Sequence, residues 1–372
     1  MDRKKILIVA ATFYPFNSPR ANRTTELAKE FSKQGHDVTV ITPKNDADHL
    51  PFEKKHRLTI KDLGTRRFNV LSVNGNRFKS LFGRIINRLL NLFFEYPDIE
   101  LTYMVKRALK NEHGYDLLVS IAVPHPVHWG VAATRLKSHP IAKVWVADCG
   151  DPYMLNRLDS FNKLFYFKFF ERKFCAKADF ITVPTEQSKE GYFPQFHTKI
   201  EVIPQGFNFA DTPVYNSEIR NEVPTFGYAG TFIPGSRDPR EILDFLCKQK
   251  KPFKFIIYTA DTALVEPFVK ESNNQIEIRA YIPRKDLIFE LSKMDFVVNF
   301  TNGTSLVTPS KLIDYVITKR PILSVDTGNL DTATVAAFLN GNYDNQFTIS
   351  NVEKYHIDNV AKGFIELAAR NN

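Results

Sequence analysis

Short apolar segments alternate with amphipathic helical patterns along most of the chain. The apolar segments are residues 4–11, 37–42, 115–121, 144–147, 180–184, 201–204, 225–229, 253–259, 276–278, 296–300 and 322–325. Brief apolar runs of this kind are typical of strands that are buried on both faces, as in parallel sheets covered by crossover helices. The pattern therefore predicts an α/β fold with two doubly wound parallel sheets.

Residues 296–325 form the most clearly patterned unit, which is a strand, a polar loop, a helix and a second strand. Thr308 followed by Pro309 is typical of a helix start, because Thr caps the first turn and Pro gives up no N–H that the helix needs. The unpaired N–H groups and the dipole at such an end attract anions. A phosphate bound there would be surrounded by Thr304, Ser305, Ser310 and Lys311. Asp314 follows one turn later, where a carboxylate suits ribose hydroxyls; an ordinary capped helix without a ligand is the alternative.

Length and cysteine content limit the possible classes of protein. A chain of 372 residues with 43% hydrophobic content is expected to form two domains, each with its own core. Cys149, Cys175 and Cys247 have neither the spacing of metal ligands nor an even number for pairing, so we expect no metal site. The few thiols, a first strand that begins almost at Met1 and the lack of an apolar run of about 20 residues predict a cytoplasmic protein.

The charge suggests what the protein binds. A net charge of +9 favours an anionic partner, but the sequence contains no nucleic-acid-binding motif, so we expect a nucleotide and a membrane surface rather than nucleic acid. Residues 76–110 combine an apolar helical stripe with Lys79, Arg84 and Arg88. This pattern predicts peripheral contact with an anionic membrane at its inner face; packing of the same helix against its own domain is the alternative.

Five segments resemble one family, and they occur in the expected order. Residues 309–315, P-S-K-L-I-D-Y, followed by a strand that begins with Arg-Pro, resemble the carboxyl-terminal donor motif of GT-B glycosyltransferases of the family 4 type. Residues 6–42 and 228–231 resemble the openings of the two domains of that family. Residues 123–128 and 148–153 resemble the patterns P-H-x-x-H and D-x-R-D-P-[WY] of a subgroup.

The resemblance implies a particular domain organisation. The GT-B fold has two Rossmann-like domains that face each other across a cleft. The first, on the acceptor side, is expected to comprise residues 1–207, with a carboxyl-terminal helix at 354–372 packing back onto it. Residues 208–223 are then the linker, and residues 224–353 form the domain that binds the nucleotide-sugar donor.

For the second half, the resemblance implies that the helix start at Pro309 holds a nucleotide diphosphate and that Asp314 binds the ribose. Arg237 is the expected diphosphate ligand, with Arg240 as the second choice. Further donor contacts are expected at Gly230, Thr231, Tyr281 and Ile282, of which the last two would lie against the base.

For the first half, the resemblance implies that His125 hydrogen-bonds a sugar, with His128 as a weaker candidate. Asp148 or Asp151 would orient the acceptor hydroxyl. Arg20 and Arg23 are candidates to reach the acceptor or the diphosphate, with a solvated surface position as the alternative for both. The expected catalytic residues are therefore His125, Asp148, Asp151, Arg237 and Lys311.

The sequence departs from the family patterns at several positions. Leu306 stands where the family often has a glutamate close to the donor sugar, and Gly150 stands where D-x-R-D-P-[WY] has its arginine. Asn17, Ser18 and Pro19 replace the glycines that are usual in the first loop. The donor sugar therefore has no residue assigned to it.

The expected activity is transfer of a sugar from a UDP- or GDP-linked donor to a hydroxyl of a glycan or lipid-linked acceptor. By family analogy the anomeric configuration is retained, and cell-surface polysaccharide or glycolipid assembly is the expected setting. The nucleotide-sugar is a substrate, and no cofactor is expected. A hydrolysing sugar-nucleotide epimerase of the same fold and a non-catalytic nucleotide- or sugar-binding protein remain the alternatives.

Overall fold

A computed structural model describes residues 2–70, 77–155, 163–218, 221–301 and 310–370. Contacts divide the chain into two compact units. The first unit comprises Met1–Phe207 and Glu353–Asn372, and the second comprises Asn208–Val352. Residues 208–223, the predicted linker, thus fall in the second unit.

The first unit is built on a seven-stranded parallel sheet with the strand order β3-β2-β1-β4-β5-β6-β7. Its strands are β1 (Lys5–Ala10), β2 (Asp37–Thr42), β3 (Thr59–Asp62), β4 (Tyr115–Ala122), β5 (Ala142–Cys149), β6 (Phe180–Val183) and β7 (Ile200–Val202). The order reverses between β1 and β4, which are paired from Ile6 opposite Leu117 to Ala10 opposite Ile121. Doubly wound sheets bind ligands beside the carboxyl ends of the strands at such a reversal.

Helices connect these strands. They are α1 (Pro19–Lys33), α2 (Asp46–His56), α3 (Arg77–Phe94), α4 (Glu100–Ala108), α5 (Pro126–Thr134) and α6 (Phe167–Lys177). The Ser18 side chain caps α1 by accepting a hydrogen bond from the Ala21 N–H at 3.2 Å. The single helical region predicted at 76–110 is instead two helices, because Glu95 takes a positive φ of 52° and Pro97 follows it.

The second unit contains a five-stranded parallel sheet with the order β10-β9-β8-β11-β12. Its strands are β8 (Thr225–Ala229), β9 (Lys254–Tyr258), β10 (Ile276–Arg279), β11 (Phe296–Thr301) and β12 (Ile322–Asp326). Its helices are α7 (Arg240–Cys247), α8 (Glu266–Glu271), α9 (Arg284–Leu291), α10 (Ser310–Ile317) and α11 (Thr332–Leu339). Phe226 stacks between Phe255 and Phe296 at ring-centroid distances of 4.6 and 4.5 Å, which fills the core on one face of the sheet.

The last helix, α12 (Ile357–Ala369), belongs to the first unit. Its apolar face packs against α1, where Phe364 meets Phe31 edge-on at 6.3 Å. A short 3₁₀ helix, Val352–Tyr355, precedes it. Among the described residues, no helix is both long enough and apolar enough to cross a membrane.

The predicted fold class is confirmed: the protein is α/β, with two separate doubly wound parallel sheets. Some predicted elements differ in detail. The helix predicted from Thr185 is a 3₁₀ helix at Glu186–Gly191, and α6 begins at Phe167 rather than at 161, a position outside the described residues.

Candidate functional site

In the second unit, the first strand of the sheet ends beside the helix α10. The Tyr315 hydroxyl on α10 accepts a hydrogen bond from the Ala229 N–H at 3.0 Å, which fixes the helix against the end of β8. Gly230 follows with a φ of +149°, and a Cβ there would lie 2.9 Å from the Tyr228 hydroxyl. Only glycine fits this backbone position comfortably. The place of Tyr315 in P-S-K-L-I-D-Y was the only sequence signal for this structural role.

Lys311, in the first turn of α10, has a buried amine and forms no ion pair within the described residues. Its Nζ has no hydrogen-bond partner among the described residues, and it lies 4.8 Å from the centroid of the Tyr228 ring. Burial, followed by the nearby charge of Arg237, lowers the pKa of Lys311 to about 7. A buried, unpaired amine of this kind is costly unless an anion binds to it.

Arg237 supplies the second positive charge at this place. Its backbone is held in the loop after β8, where the Arg237 N–H donates to the Ile233 carbonyl at 2.8 Å. The side chain forms no ion pair within the part of the chain that the structure describes. Arg240, the second choice from the sequence, is instead paired with Asp238 through its Nε at 2.9 Å, and that hydrogen bond is the main reason that the pKa of Asp238 falls to about 2. The geometry therefore favours Arg237 over Arg240 as the group left for a ligand.

Asp314 lies one turn after Lys311 and is paired with Arg284 of α9. Arg284 donates from Nε to Oδ1 of Asp314 at 2.9 Å, and its Nη2 donates to the same oxygen. Burial raises the pKa of Asp314, and the charge and hydrogen bonds of Arg284 oppose that rise. Both bonds end on Oδ1, and within the described residues Oδ2 accepts no hydrogen bond, so it can accept from hydroxyl groups. Nothing in the sequence pattern indicated Arg284 as the partner.

Of the remaining predicted donor contacts, Thr231, Tyr281 and Ile282 lie within the described residues. The Thr231 and Tyr281 hydroxyls are 3.4 Å apart, so these two residues lie together, and Ile282 packs against the cluster that contains Tyr315. Thr304, Ser305 and Pro309 lie outside the described residues, as does Leu306. Ser310 is the first residue of α10, and its side chain is not among the described ones.

In the first unit, His125 lies at the carboxyl end of β4 and is buried. Its Nε2 donates to the Asp151 carbonyl at 3.1 Å, while its Nδ1 has no partner among the described residues. Burial lowers the pKa of His125 to about 3. The imidazole is therefore neutral at physiological pH, and with Nε2 protonated its Nδ1 accepts a hydrogen bond, as from a sugar hydroxyl.

His128 is held in a buried hydrogen-bonded chain. Its Nδ1 is 2.8 Å from the Ser120 hydroxyl, which also accepts from the Trp145 indole N–H at 2.8 Å. Its Nε2 is 3.3 Å from the Cys149 sulfur. Both ring nitrogens are thus used within the core, so His128 has a structural role.

Asp148 is buried and fully paired with Arg23. Arg23 donates from Nε to Oδ2 at 3.1 Å and from Nη2 to Oδ1 at 2.8 Å, and the Thr182 hydroxyl donates to Oδ1 at 2.7 Å. Burial alone would raise the pKa of Asp148, but the charge and hydrogen bonds of Arg23 outweigh burial and lower it. This carboxylate ties α1 to the sheet and is not placed to act as a base.

This ion pair bears on two other candidates of the first half, Arg23 and Asp151. Arg23 is 2% exposed, and it also donates to the carbonyls of Ile203 and Pro204. Both roles predicted for Arg23, a solvated surface charge and a ligand for the acceptor or the diphosphate, are therefore wrong, because the side chain is buried and paired. Asp151 is exposed, so of the two carboxylates Asp148 and Asp151 the second is the one that solvent reaches. Across the described ranges, no cluster of three or more His, Cys, Asp or Glu side chains is arranged to hold a metal ion.

Solved structures share this fold over nearly the whole chain. A glycosyltransferase from Rickettsia africae ESF-5 matches with a TM-score of 0.57 at 12% identity and covers 100% of this chain and 94% of its own. The lipopolysaccharide outer core galactosyltransferase WaaB in its apo form matches with a TM-score of 0.60 at 11% identity, covering 99% and 100%. HepE from Anabaena, in complex with UDP and glucose, matches with a TM-score of 0.50 at 12% identity, covering 99% and 98%. At these identities the likeness concerns the fold, which is the GT-B fold of glycosyltransferases.

The family is shown by the sequence itself. The profile of Glycosyltransferase Family 4 matches residues 21–211, a little over half of the 372 residues, and the chain belongs to that family. No curated protein matches the sequence. The predicted resemblance is confirmed, and the protein is a glycosyltransferase.

Proposed function

We propose that the protein transfers a sugar from a UDP- or GDP-linked donor, held by its second unit, to a hydroxyl of a glycan or lipid-linked acceptor. The observation that carries this proposal is the pair of cations Lys311 and Arg237, which have no anionic partner among the described residues. A diphosphate would supply the missing negative charge. HepE, which shares the fold, was solved with UDP and glucose, and this agrees with a nucleotide ligand.

The chemical task at this place is to stabilise the departing nucleoside diphosphate. Negative charge grows on the diphosphate as the bond to the sugar breaks, and preorganised cations in a site with little water stabilise that charge strongly. Lys311 and Arg237 would bind the phosphate oxygens, and Oδ2 of Asp314 would accept from the ribose hydroxyls. Tyr281 and Ile282 would contact the base. Retention of configuration follows from the family resemblance alone.

The first unit offers groups for the acceptor side. The Nδ1 of the neutral His125 would accept a hydrogen bond from a sugar hydroxyl, and the exposed Asp151 would orient the attacking hydroxyl. The sugar-nucleotide epimerase alternative has less support, because it would need several well-placed acids and Asp148 is committed to Arg23.

Nucleotide binding tests the proposal. We expect UDP or GDP to raise the melting temperature of the protein, because a ligand that binds only the folded state stabilises it by mass action. Asp314→Asn should weaken nucleoside diphosphate binding about tenfold, since a hydrogen bond to a charged group is worth about 1.5 kcal/mol or more, and should leave inorganic pyrophosphate binding unchanged. Differential scanning fluorimetry measures both.

The exposed carboxylate Asp286 on α9 provides the matched control, and Asp286→Asn should bind both ligands as the wild type does. If neither UDP nor GDP binds, the proposed function is wrong. If Asp314→Asn weakens pyrophosphate as much as the nucleotide, Asp314 does not contact the ribose.

We further propose that the first unit binds peripherally to the inner face of an anionic membrane, as part of polysaccharide or glycolipid assembly. Ile85, Leu89 and Phe93 of α3 follow one another at helical spacing and are 49%, 47% and 45% exposed, so this stripe is not buried against its own unit.

A second group of exposed aromatic side chains, Phe165 and Phe169, lies close to this stripe. The neighbouring Tyr166 hydroxyl donates to the Phe93 carbonyl, which brings the two sets of side chains together. Exposed positive charges flank them at Arg84, Arg88, Lys168, Arg172 and Lys173. Aromatic side chains beside basic ones suit an interfacial position.

Vesicle co-sedimentation tests this contact. The protein should bind vesicles of phosphatidylcholine with phosphatidylglycerol, and the binding should weaken at high salt because its electrostatic part is screened. Phe93→Glu should reduce binding several-fold, whereas Leu136→Glu, at an exposed apolar residue of the same unit outside α3, should not. Equal binding to anionic and purely neutral vesicles would rule the contact out.

A further inference from the structure

The space beside Gly150 is occupied by the guanidinium of Arg20. A Cβ built on Gly150 would lie 2.4 to 2.7 Å from Cζ, Nη1 and Nη2 of Arg20. Heavy atoms do not approach so closely, so any larger residue at position 150 would displace the arginine. Gly150 is the position at which D-x-R-D-P-[WY] carries an arginine of its own. The guanidinium at the end of β5 is therefore still present, but it comes from α1.

Arg20 is not needed to neutralise the acid nearest to it. Its Nη1 is 4.0 Å from Oδ2 of Asp148, which is beyond hydrogen-bond distance. Asp148 already has Arg23 as its ion-pair partner and Thr182 as a further donor. Removing Arg20 would leave that carboxylate paired.

Arg20 also has more donor groups than partners. Among the described residues, its side chain makes one hydrogen bond, from Nη1 to the Ala122 carbonyl at 3.5 Å. A guanidinium has five N–H groups, so most of those in Arg20 have no acceptor among the residues that the structure describes. The side chain is 24% exposed, which leaves the group accessible from one side. Burial lowers the pKa of Arg20, and Asp148 opposes that effect.

A second unused group lies at the same strand ends. The Ala122 carbonyl accepts from both Arg20 and the Gly150 N–H, the latter at 3.3 Å, and His125 follows three residues later. The Nδ1 of His125 is buried without a partner among the described residues. Burial is the main reason that the pKa of His125 is lowered, and the charge of Arg20 adds to that effect, so the two side chains are close. Within the described residues, Arg20 has unused donors and His125 has an unused neutral acceptor, a combination that suits a ligand carrying both an anionic group and hydroxyls.

We propose that Arg20 binds a phosphate or carboxylate group of the acceptor substrate, taking the place of the arginine that Gly150 replaces. A planar guanidinium binds either oxyanion through two parallel hydrogen bonds. The assignment to the acceptor rests on the proposed function, in which the donor belongs to the second unit. The acceptor is accordingly an anionic glycan or a lipid-linked sugar phosphate.

The test uses inorganic phosphate and acetate as probes in separate arms, at matched ionic strength, with thermal shift of the full-length protein as the readout. The background is Arg237→Ala with Lys311→Ala, so that the cations of the second unit do not contribute. In that background we expect one or both anions to stabilise the protein, and the arm that does so identifies the oxyanion class. Adding Arg20→Ala or Gly150→Ala should weaken the apparent affinity about tenfold or more, because charge-assisted hydrogen bonds are lost. Circular dichroism verifies that each variant is folded.

A swap of positions separates recognition from structure. Arg20→Ala combined with Gly150→Arg returns a guanidinium to the end of β5 and should restore anion binding. A purely structural arginine would not be rescued in this way. If Arg20→Ala and Gly150→Ala bind phosphate and acetate as their background does, or if neither anion binds that background, the proposal is overturned.

The donor arm keeps this result distinct from the proposed function. In otherwise wild-type protein, Arg20→Ala should bind UDP and GDP unchanged. If those nucleotides fail to bind even the wild type, the proposed function fails, while the phosphate and acetate comparison still reports on Arg20. If Arg20→Ala weakens UDP or GDP, the guanidinium serves the donor, and the assignment to the acceptor is overturned.

Discussion

Replacing Lys311 by alanine is expected to reduce the rate of sugar transfer about 100- to 1000-fold, the usual effect of removing one preorganised group that stabilises charge in the transition state. Lys311 is buried over the Tyr228 ring at 4.8 Å, with no hydrogen-bond partner among the described residues, so its free energy of interaction is available to the departing diphosphate. The measurement is the release of nucleoside diphosphate from the nucleotide-sugar that the wild type uses. Lys270→Ala, at an exposed lysine of the same unit, should change the rate less than twofold.

The pH dependence of nucleotide binding gives an independent check on Lys311. Its pKa is lowered to about 7 by burial and then by Arg237, so the amine loses its proton as pH rises through that value. A diphosphate binds the charged form better and therefore raises the pKa of the bound amine, so binding takes up a proton. Affinity for UDP or GDP should then fall between pH 7 and 9 by up to about tenfold per pH unit. Calorimetry in buffers of different ionisation enthalpy measures the proton uptake.

Lys311→Ala should remove this slope. If the wild type binds nucleotide with the same affinity from pH 7 to 9, or if the alanine variant retains both the slope and the transfer rate, Lys311 does not bind the diphosphate. Arg237→Ala should lower the transfer rate and also shift the slope to higher pH, because the repulsion that helps to depress the pKa of Lys311 is lost.

Replacing Arg23 by alanine is expected to lower the free energy of unfolding of the first unit by about 3–5 kcal/mol, because it leaves the carboxylate of Asp148 buried without its partner. Both side chains are 3% exposed, and the nearest Arg23–Asp148 contact is 2.8 Å. For a unit of this size the loss corresponds to a melting temperature lower by roughly 6–20 °C. Scanning calorimetry or circular dichroism measures it.

Controls separate this loss from the removal of charge in general. Lys362→Ala breaks a half-exposed pair with Asp358 on α12 and should cost at most about 0.5 kcal/mol. Adding Asp148→Asn to Arg23→Ala should recover part of the loss, because no unpaired charge then remains in the core. An unchanged melting temperature in Arg23→Ala would show that Asp148 is not a buried charge.

The same ion pair predicts acid sensitivity of the first unit. The pKa of Asp148 is lowered in the folded state, so the pair contributes its stabilisation above the unfolded pKa of about 3.9. That stabilisation is lost as pH falls through the folded value. Arg23→Ala should be less stable than the wild type at neutral pH, and the difference should narrow in acid.

Local pattern sufficed for the strands and for several helices. β4, β5, β8 and β11 were predicted from apolar runs, because a strand buried on both faces must be apolar at nearly every position. The elements that pattern did not indicate have a physical explanation. α2 is mostly polar, contains Pro51 and buries only His49 and Phe52, so it has no apolar stripe to detect. β3 has four residues with Ile60 alone buried, and its place at the sheet edge comes from pairing with β2.

Side-chain partners were the part of the candidate site that the sequence could not predict. Arg23 and Asp148 are 125 residues apart, and Arg284 and Asp314 are 30 apart. No periodicity links such positions. Asp148 and Asp151 looked equivalent as carboxylates at one strand end, yet the first is buried in an ion pair and the second is exposed. Arg237 and Arg240 also looked alike, and the difference between them is that Asp238 binds Arg240.

The sequence by itself determined the α/β class, the two parallel sheets and membership of the glycosyltransferase family, because these depend on the order of apolar runs and on motifs within short segments. The tertiary structure alone decided which charged side chains form ion pairs inside the protein and which are left for a ligand. Packing brings α1 against the end of β5. Arg23 then forms a buried ion pair with Asp148, and Arg20 occupies the space beside Gly150. Burial and partner choice are set by contacts between distant residues, and they fix the charge and the accessibility of each group.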